Sequence, residues 1–468
     1  MSIFNSRYTI GEITSILEDV EAHIHFVGVL GSGMYPLARL LHRQGSRVSG
    51  SDDAAREDAY TDKDGIEISR PGSVADATAL VYSLAVDESN PEIQYALSHG
   101  IPVISRAQLL GAVMQKYGIR IAVSGSHGKS TTTAAIDHLL NCTGVLHTTV
   151  SGAQLTSGDA LCDGGGDVFV AEACEYKDSF LCLYPSHLII TSVELDHTDY
   201  FTDTDMLLGS FMSAALRSDT VFINLDDPIA KEIHLALKGC KRVGHIYTYG
   251  KCEGADYRLA PLGKDGDKTL FSVISRRGRL DLSTRLMGEF NLYNLTAAVA
   301  LADVLGIGAE ALADAVADFA PIGRRLEHIS TVGGIPIYYD YAHHPTEIRA
   351  VISALKERYG TVSVIFRPHT YSRTKSLWRD FVTELGRADH TALLDVYPAR
   401  ESYLEGVDSR LLAKDIPNCS YSTPDDAVGL ALSYRTGAVV LMGAGEVEEI
   451  KREFIRLGKN TGLDPERR

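Results

Sequence analysis

The stretch Ile119-Arg120-Ile121-Ala122-Val123-Ser124-Gly125-Ser126-His127-Gly128-Lys129-Ser130-Thr131 decides how the rest of the sequence is interpreted. Its first five residues are apolar enough to predict a strand, and Thr131 to Leu140 predicts a helix. The loop between them, Gly125-x-x-Gly128-Lys129-Ser130, has the residue order of a phosphate-binding loop, although Val123 stands where the usual spacing has a first glycine. A plain strand-to-helix turn is the alternative interpretation.

Each residue type in this loop has a chemical reason to be there. Glycines let backbone N–H groups close around phosphate oxygens, and the helix N-terminus adds favourable potential. We expect Lys129 to be exposed on the loop, where it would neutralise phosphate charge, and Ser130 to offer its hydroxyl to Mg²⁺. The coincidence of glycine, lysine and serine with a strand and a helix favours nucleotide binding over a plain turn.

Two further polar residues follow predicted strands of the same region. Glu172 comes directly after Val168 to Ala171, and His197 closes a predicted strand from Leu188 to Leu195. Strand ends of a parallel sheet meet at one edge, so we expect both residues near Lys129, where they would hold Mg²⁺ with Ser130. Alone, His197 would be a hydrogen-bonded structural histidine and Glu172 a salt-bridged or capping residue.

The region before this loop predicts a doubly wound α/β domain. The strand at His25 runs into Gly28-x-x-Gly31-Ser32-Gly33-Met34, and Asp52 follows a second strand. This pattern imitates the dinucleotide-binding fingerprint without its glycine spacing, which argues against an NAD-dependent dehydrogenase. It predicts a cradle for a nucleotide diphosphate, with a tight structural turn as the alternative. We place the first domain boundary after residue 117.

The rest of the chain predicts two more α/β domains, spanning residues 118–321 and 322–468. Within the central domain, Tyr247 to Leu286 predicts short antiparallel strands attached to the parallel sheet. Two alanine-rich helices follow, and Asn291 and Asn294 share one helical face, although Asn291 also suits an N-cap. Pro321 to Arg325 reads as a linker.

The third domain carries two polar motifs, each after a predicted strand. Asp340-Tyr341-Ala342-His343-His344-Pro345 meets a helix that starts at Pro345, and Arg367-Pro368-His369-Thr370-Tyr371-Ser372-Arg373 follows the next strand. Adjacent histidines on a turn point apart, so we discount a two-histidine zinc site. The basic segment is either a solvated loop or a site for a carboxylate.

Composition restricts the classes of partner. With 468 residues, 45 Lys+Arg and 61 Asp+Glu, the net charge of −16 disfavours nucleic acid and anionic membrane surfaces as partners. The seven cysteines form no Cys-x-x-Cys pair, and no run of about 18 apolar residues occurs. We therefore expect a cytoplasmic protein with reduced thiols, neither exported nor membrane-spanning.

Taken together, these motifs resemble the ATP-dependent Mur ligases of bacterial cell-wall synthesis, over nearly the whole chain. The likeness is carried by Gly31 to Met34, Gly125 to Thr131, Glu172-Ala173-Cys174-Glu175, Asp196-His197, Asn291-x-x-Asn294, Arg324-Arg325, Asp340 to Glu347 and Pro368-His369. The last two motifs are most similar to the member that adds L-alanine to UDP-N-acetylmuramate.

The resemblance implies a Rossmann-like UDP-sugar-binding domain, a central ATPase domain with a phosphate-binding loop, and a Rossmann-like C-terminal domain that closes over the site. It implies an amide ligase for peptidoglycan synthesis, and so for cell shape and division, that uses ATP and Mg²⁺ and passes through an acyl phosphate. The oligomer would be a monomer or a weak homodimer.

The same resemblance implies roles for particular residues. Lys129, Glu172, His197 and Arg325 would be catalytic, and Ser130, Glu172 and His197 would hold the metal. ATP would be bound by Gly125, Ser126, His127, Gly128, Lys129, Ser130, Thr131, Asn291, Asn294, Arg325 and Asp340. The other substrates would be bound by Gly31, Ser32, Gly33, Met34, Asp52, Tyr341, His343 and Arg373.

Alternatives remain open at this point. A muropeptide-recycling ligase shares the His-His-Pro motif but attaches a tripeptide, and a folylpolyglutamate synthase shares the ATPase core but should lack the N-terminal domain. A noncatalytic nucleotide-binding regulator is the alternative from another class. The set Lys129, Glu172 and His197 argues against that regulator.

Overall fold

The computed structural model describes residues 8–55, 57–72, 74–399, 401–445 and 447–460. It divides into two compact units. The first contains Met1–Thr284 and Tyr293–Phe319, and the second contains Arg285–Leu292 and Ala320–Arg468. The first unit holds two sheets and the second holds one.

The first sheet forms where the sequence predicts the doubly wound domain. Its strands are β1 (His23–Val27), β2 (Arg47–Ser51), β3 (Ala59–Thr61), β4 (Glu67–Ser69), β5 (Ala79–Tyr82) and β6 (Val103–Ser105). Their order is β3-β4-β2-β1-β5-β6, and all neighbours are parallel except β3 and β4. The helices are α1 (Ile10–Glu18), α2 (Tyr35–Arg43), α3 (Pro91–Ser98) and α4 (Arg106–Met114). Capping boxes at Thr9 and Ser105 start α1 and α4.

The second sheet has ten strands. They are β7 (Ile119–Ser124), β8 (His147–Val150), β9 (Leu161–Asp163), β10 (Val168–Glu172), β11 (His187–Ile190), β12 (Thr220–Asn224), β13 (His245–Gly250), β14 (Tyr257–Asp265), β15 (Lys268–Ser275) and β16 (Gly278–Thr284). Their order is β16-β15-β14-β13-β12-β11-β7-β10-β8-β9. The strands from β13 to β8 are parallel, whereas β14 to β16 form the predicted antiparallel extension. Strand β9 adds an unpredicted antiparallel edge beside β8.

The helices of this region begin with the one that follows the phosphate loop. They are α5 (Lys129–Cys142), a 3₁₀ helix (Tyr176–Cys182), α6 (Thr204–Ala215), α7 (Pro228–Leu237), α8 (Glu289–Val304) and α9 (Ala309–Asp318). Helix α8 begins at Glu289, so Asn291 lies inside the helix and is not its N-cap. The Asn291 Nδ2 donates to the carbonyl oxygen of Met287 at 2.8 Å.

The first unit has a continuous apolar core that spans both of its sheets, and Phe26 and Phe169 are among its fully buried side chains. Close packing joins α4 to the 3₁₀ helix, because a Cβ at Gly111 would collide with the backbone oxygen of Cys182. A buried cation also joins the regions of the two sheets. Arg39 on α2 pairs with Asp64 at 2.9 Å and with Asp159, which lies between β8 and β9, at 2.6 Å.

The second unit contains a six-stranded sheet. Its strands are β17 (Glu327–Val332), β18 (Ile335–Asp340), β19 (Val362–Arg367), β20 (His390–Leu393), β21 (Cys419–Tyr421) and β22 (Ala438–Gly443). The order is β17-β18-β22-β19-β20-β21, parallel except between β17 and β18. The helices are α10 (Pro345–Tyr359), α11 (Tyr371–Ser376), α12 (Trp378–Leu385), α13 (Ser409–Asp415), α14 (Pro424–Ser433) and α15 (Glu448–Asn460). The predicted α/β class, with parallel sheets and a small antiparallel extension, is confirmed.

Candidate functional site

The phosphate loop occupies the turn between β7 and α5. Gly125 and Gly128 have φ angles of 134° and 84°, which favour glycine. A Cβ at Gly125 would collide with Thr191 Oγ1, and one at Gly128 would collide with Asn294 Oδ1. Asn294 Oδ1 also accepts from Thr132 Oγ1 at 3.3 Å. The predicted ATP-binding residue Asn294 therefore lies directly against the loop.

The loop is fastened to the segment that follows β11. Ser126 N donates to Ser192 O at 2.8 Å, and Ser126 Oγ donates to Glu194 O at 2.9 Å. The His127 imidazole contacts Glu194 Oε2 through Nε2 at 2.8 Å. These bonds explain why β11 ends at Ile190 and not, as predicted, at Leu195: the backbone leaves the sheet to bond the loop.

Lys129 is not the exposed residue that the sequence suggests. Its side chain is 18% exposed, and its Nζ lies 3.0 Å from Oε2 of Glu175, whose side chain is 3% exposed. The ammonium also donates to the carbonyl oxygens of Gly125 and Ser126. Burial opposes the charge of Lys129, but Glu175, Cys174 and Glu172 together outweigh it and raise the Lys129 pKa. The expectation of an exposed lysine is therefore wrong.

The predicted metal ligands Ser130 and Glu172 are in contact. Ser130 Oγ donates to Glu172 Oε2 at 3.2 Å, while Glu172 Oε1 accepts from Ser151 Oγ at 2.6 Å and Gly152 N at 3.1 Å. The hydroxyl and carboxylate oxygens are hard donors of the kind that Mg²⁺ prefers, so this donor set fits the ion. Thr131, the next residue of the loop, is buried.

His197 lies in the loop after β11. Its φ of 55° is left-handed, and its ring centroid lies 4.6 Å from that of Tyr176. Tyr176 OH donates to Asp199 Oδ2 at 2.7 Å, so His197 stands beside an anchored aromatic ring. Tyr176 directly follows Glu175, the partner of Lys129.

The predicted UDP-binding loop is a tight turn between β1 and α2. Gly31 N bonds Gly28 O at 3.1 Å, and Met34 N bonds Gly31 O at 2.9 Å. Gly31 and Ser32 are exposed, Gly33 is half-buried and Met34 is buried. Asp52 holds the turn, because its Oδ2 accepts from Leu30 N at 2.9 Å.

In the second unit, the two polar motifs follow β18 and β19, which both run parallel to β22. The Tyr341 and His343 rings meet edge to face with centroids 5.2 Å apart, and His343 lies 6.0 Å from His369. Arg373 Nη1 lies 3.3 Å from His369 Nδ1. The predicted residues His343 and Arg373 therefore both lie beside His369, and Tyr341 packs against His343.

Asp340 is buried where β18 ends. Its two carboxylate oxygens accept from Leu326 N and Ala342 N, each at 2.7 Å. Burial raises the Asp340 pKa to about 6, against the opposing charge of Arg325 and these two backbone donors. The Arg325 guanidinium also lies over the Tyr341 ring, 5.5 Å from its centroid.

Comparison with protein-family models matches three segments of the chain. Residues 23–117 match the model described as Mur ligase family, catalytic domain; residues 123–302 match the Mur ligase middle domain; residues 324–445 match the Mur ligase, glutamate ligase domain. The UDP-N-acetylmuramate--L-alanine ligase of Caldanaerobacter subterraneus subsp. tengcongensis is 35% identical over 453 residues, which are 93% of this chain and 98% of the relative. This chain belongs to the Mur ligase family. The protein of the same name from Syntrophotalea carbinolica is 37% identical, covering 91% and 96% of the two chains.

Solved structures share the fold of this Mur ligase. The UDP-N-acetylmuramate-alanine ligase of Thermotoga maritima aligns with a TM-score of 0.76 at 24% identity, covering 94% of this chain and 99% of the other. A murein peptide ligase from Psychrobacter arcticus aligns with a TM-score of 0.68 at 21% identity, with the same coverage. Both alignments establish the architecture alone.

Sequence reasoning missed four charged or polar groups beside the predicted residues of this Mur ligase. Glu175 pairs with Lys129, and His369 stands between His343 and Arg373. Arg324 lies over the Tyr341 ring at 4.5 Å, and a Cβ on Gly33 would come within 3.2 Å of Arg106 Nη1. Glu175, His369 and Arg324 stood inside the quoted motifs, but no pattern identified Arg106.

Among the helices of the described ranges, none combines the length and the apolar character needed to cross a membrane. All seven cysteines are free thiols.

Proposed function

We propose that this Mur ligase joins L-alanine to the lactyl carboxylate of UDP-N-acetylmuramate, with conversion of ATP to ADP and phosphate. The observation that carries the proposal is the identity of 35–37% with relatives named UDP-N-acetylmuramate--L-alanine ligase, over more than 90% of both chains. The contact of Ser130 with Glu172, close to Lys129, also supports the proposal, because these residues form the candidate nucleotide site.

The chemistry requires activation of a carboxylate. A free carboxylate resists attack by an amine, so the lactyl carboxylate first takes the γ-phosphoryl group of ATP and ADP leaves. The amino group of L-alanine then attacks the acyl phosphate, and phosphate leaves from the tetrahedral intermediate. In this proposal Lys129 neutralises charge on the transferred phosphoryl group, as preorganised cations do in phosphoryl transfer.

Ser130, Glu172 and His197 are the residues proposed to hold Mg²⁺. When bound, the ion supplies charge stabilisation to the phosphate oxygens. The Ser130 hydroxyl and the Glu172 carboxylate face each other at 3.2 Å, which supports a common ligand for both. His197 lies in the loop after β11, where its ring contacts that of Tyr176.

The remaining predicted residues divide by substrate. Asn291, Asn294, Arg325 and Asp340 are proposed to bind ATP together with residues 125–131. Gly31, Ser32, Gly33, Met34 and Asp52 are proposed for the UDP-sugar, and Tyr341, His343 and Arg373 for the amino acid. We also propose the division into domains at residues 1–117, 118–321 and 322–468, and a cytoplasmic location, which free cysteines suit.

Phosphate release with UDP-N-acetylmuramate and ATP tests the proposal, with L-alanine, glycine, L-serine and an L-alanyl tripeptide as separate acceptors. We expect L-alanine to give the highest kcat/KM and a product heavier by one alanine residue. Glycine and L-serine should be poor but detectable, because a methyl-sized pocket discriminates by only about 1–3 kcal/mol. Higher kcat/KM with the tripeptide would establish a recycling ligase, and no phosphate release with any acceptor would favour a noncatalytic regulator.

A further inference from the structure

A second group of chemically reactive side chains lies in the first unit, away from the phosphate loop. Asp137, His147 and Cys162 each offer one ligand atom, and the three atoms lie within 4.8 Å of one another. The side chains of Asp137 and His147 are 1% exposed, whereas Cys162 is half-buried. A carboxylate, an imidazole and a thiol thus meet at one point, with the first two in the interior.

The fold explains why they meet. Asp137 lies on α5, His147 is the first residue of β8 and Cys162 is in the middle of β9. In the antiparallel pair, Cys162 stands opposite Thr149. Because side chains alternate along a strand, His147 and Thr149 point to the same face as Cys162, and α5 supplies Asp137 to the group.

Hydrogen bonds fix the orientation of both the His147 and the Asp137 side chain. His147 Nδ1 donates to Val145 O at 2.8 Å, which directs Nε2 at Asp137 Oδ1, 3.0 Å away. Asp137 Oδ2 accepts from Asn141 Nδ2 at 3.2 Å. Metal-binding histidines usually donate the other ring N–H to a carbonyl or carboxylate in this way, and metal-binding carboxylates are themselves hydrogen-bonded.

A buried hydroxyl gives an independent observation. Thr149 is fully buried, and within the described residues its Oγ1 has no hydrogen-bond partner. A buried hydroxyl without a partner is costly. The Asp137–His147 ion pair and the hydrogen bond of His147 to Cys162 satisfy three of these four side chains, and the Thr149 hydroxyl on the same face stays unsatisfied.

We propose that Asp137, His147 and Cys162 bind one zinc-type divalent transition-metal ion. Thiolate and imidazole select such an ion over Mg²⁺, which prefers oxygen ligands. Tetrahedral zinc with bonds of about 2.0–2.3 Å needs ligand atoms roughly 3.3–3.7 Å apart, so atoms within 4.8 Å require only a small adjustment. Binding replaces the proton on His147 Nε2 and the thiol proton of Cys162, and both protons go to solvent.

The ion would connect two elements that lead to the nucleotide loop. Helix α5 begins at Lys129, and β8 runs on to Ser151, which bonds Glu172. The site is therefore structural: it fixes α5 against the β8–β9 pair and takes no part in the transfer chemistry.

The same helix provides a matched control. His138, Cys142 and Asp318 form another group with the same three donor types, but Cys142 and Asp318 are exposed. His138 Nε2 contacts Ala315 O at 3.1 Å. This second group lacks the burial of the first, so Cys142→Ser should leave metal binding unchanged.

The test uses the full-length protein, freed of metal by a chelator and titrated with Zn²⁺ in competition with a chromogenic chelator. We expect one tight equivalent in the wild type and in Cys142→Ser, and affinity at least about tenfold weaker in Cys162→Ser. Substitution with Co²⁺ should give a thiolate charge-transfer band in the first two proteins and none in Cys162→Ser. Loss of that band in Cys162→Ser assigns its sulfur to Cys162, and so excludes Zn²⁺ bound near Glu172 and Cys174 as the explanation.

Circular dichroism and thermal unfolding of the metal-free variants show whether each is folded. Cys162→Ser replaces only the sulfur atom by oxygen, at a half-buried position. The proposal is overturned if the wild type binds Zn²⁺ no more tightly than Cys162→Ser. It is also overturned if Co²⁺ gives no thiolate band in the wild type, or if Cys142→Ser abolishes that band.

Discussion

Lys129 Nζ lies 3.0 Å from Glu175 Oε2 in an ion pair whose carboxylate is almost completely buried. The cation of the phosphate loop therefore has a protein partner before any nucleotide is considered. Removing either side chain leaves the other in a poorly solvated position, which is costly in proportion to its burial. Lys129 consequently serves the fold as well as the proposed chemistry.

Replacing Lys129 with methionine should lower both turnover and stability. We expect kcat for phosphate release to fall by about 10²–10³-fold, because a preorganised charge on the phosphoryl group is lost. The free energy of unfolding should fall by roughly 2 kcal/mol, since Glu175 keeps a buried charge without its partner. Phosphate release and urea unfolding measure the two effects separately.

The double variant Lys129→Met/Glu175→Gln separates these roles further. It should recover most of the lost stability, because the unpaired carboxylate is gone, but none of the lost turnover. Recovery of turnover in the double variant would remove Lys129 from the phosphoryl-transfer step.

Glu172→Gln should weaken the response to magnesium. The carboxylate faces Ser130 Oγ at 3.2 Å, and an amide is a neutral, poorer ligand for a hard cation. We expect the Mg²⁺ concentration at half-maximal activity to rise by about tenfold or more. A magnesium titration of phosphate release measures it, with the exposed Glu253→Gln as a charge-matched control. An unchanged midpoint in Glu172→Gln would refute this assignment.

The local pattern was enough to predict the framework of the fold. Alternating apolar strands and helices gave the parallel sheets, and glycines before Lys129 placed the loop correctly between β7 and α5. The antiparallel strands β14 to β16 lie within the predicted range Tyr247 to Leu286. These features are determined by residues close together in the sequence, and the spacing of apolar residues therefore predicts them.

Contacts between distant parts of the chain were not predictable in the same way. Strand β11 ends early because Ser192 and Glu194 bond the phosphate loop some 65 to 68 residues away. The pairing of Lys129 with Glu175 spans 46 residues, and nothing in the local pattern distinguishes a buried lysine from an exposed one. The left-handed backbone of His197, with a φ of 55°, was likewise not predicted by the local pattern. The roles assigned to the site residues remain predictions.

Because of Asp340, the stability of this protein should fall as pH rises. A carboxylate in a salt bridge, whose pKa is lowered, has the opposite effect. Its pKa is about 6 in the folded chain against an ordinary value of 3.8. Between these pH values the folded chain keeps a proton that the unfolded chain has lost, so the free energy of unfolding falls as pH rises. The full effect is roughly 3 kcal/mol.

Asp340→Asn isolates this effect because asparagine does not titrate. The difference in unfolding free energy, wild type minus Asp340→Asn, should decrease as pH rises from about 4 to 7. Constant costs of the substitution, such as a lost bond to Leu326 N or Ala342 N, cancel in this comparison. A difference that stays constant with pH, or increases, would show that Asp340 does not titrate with a raised pKa.

Arg373→Lys should impair use of the amino acid more than use of ATP. Arg373 Nη1 lies 3.3 Å from His369 Nδ1, and the His369 ring is 6.0 Å from that of His343, so the guanidinium belongs to the ring cluster proposed for the amino acid. Lysine keeps the positive charge but loses the planar pair of donors that matches a carboxylate. We therefore expect KM for L-alanine to rise roughly tenfold, with KM for ATP and kcat nearly unchanged.

Steady-state kinetics with each substrate varied in turn measures this, and the exposed Arg379→Lys on the next helix serves as the control. Equal increases in both KM values would place Arg373 outside the amino-acid site, because a residue that binds only the alanine carboxylate has no reason to alter ATP binding to the same extent.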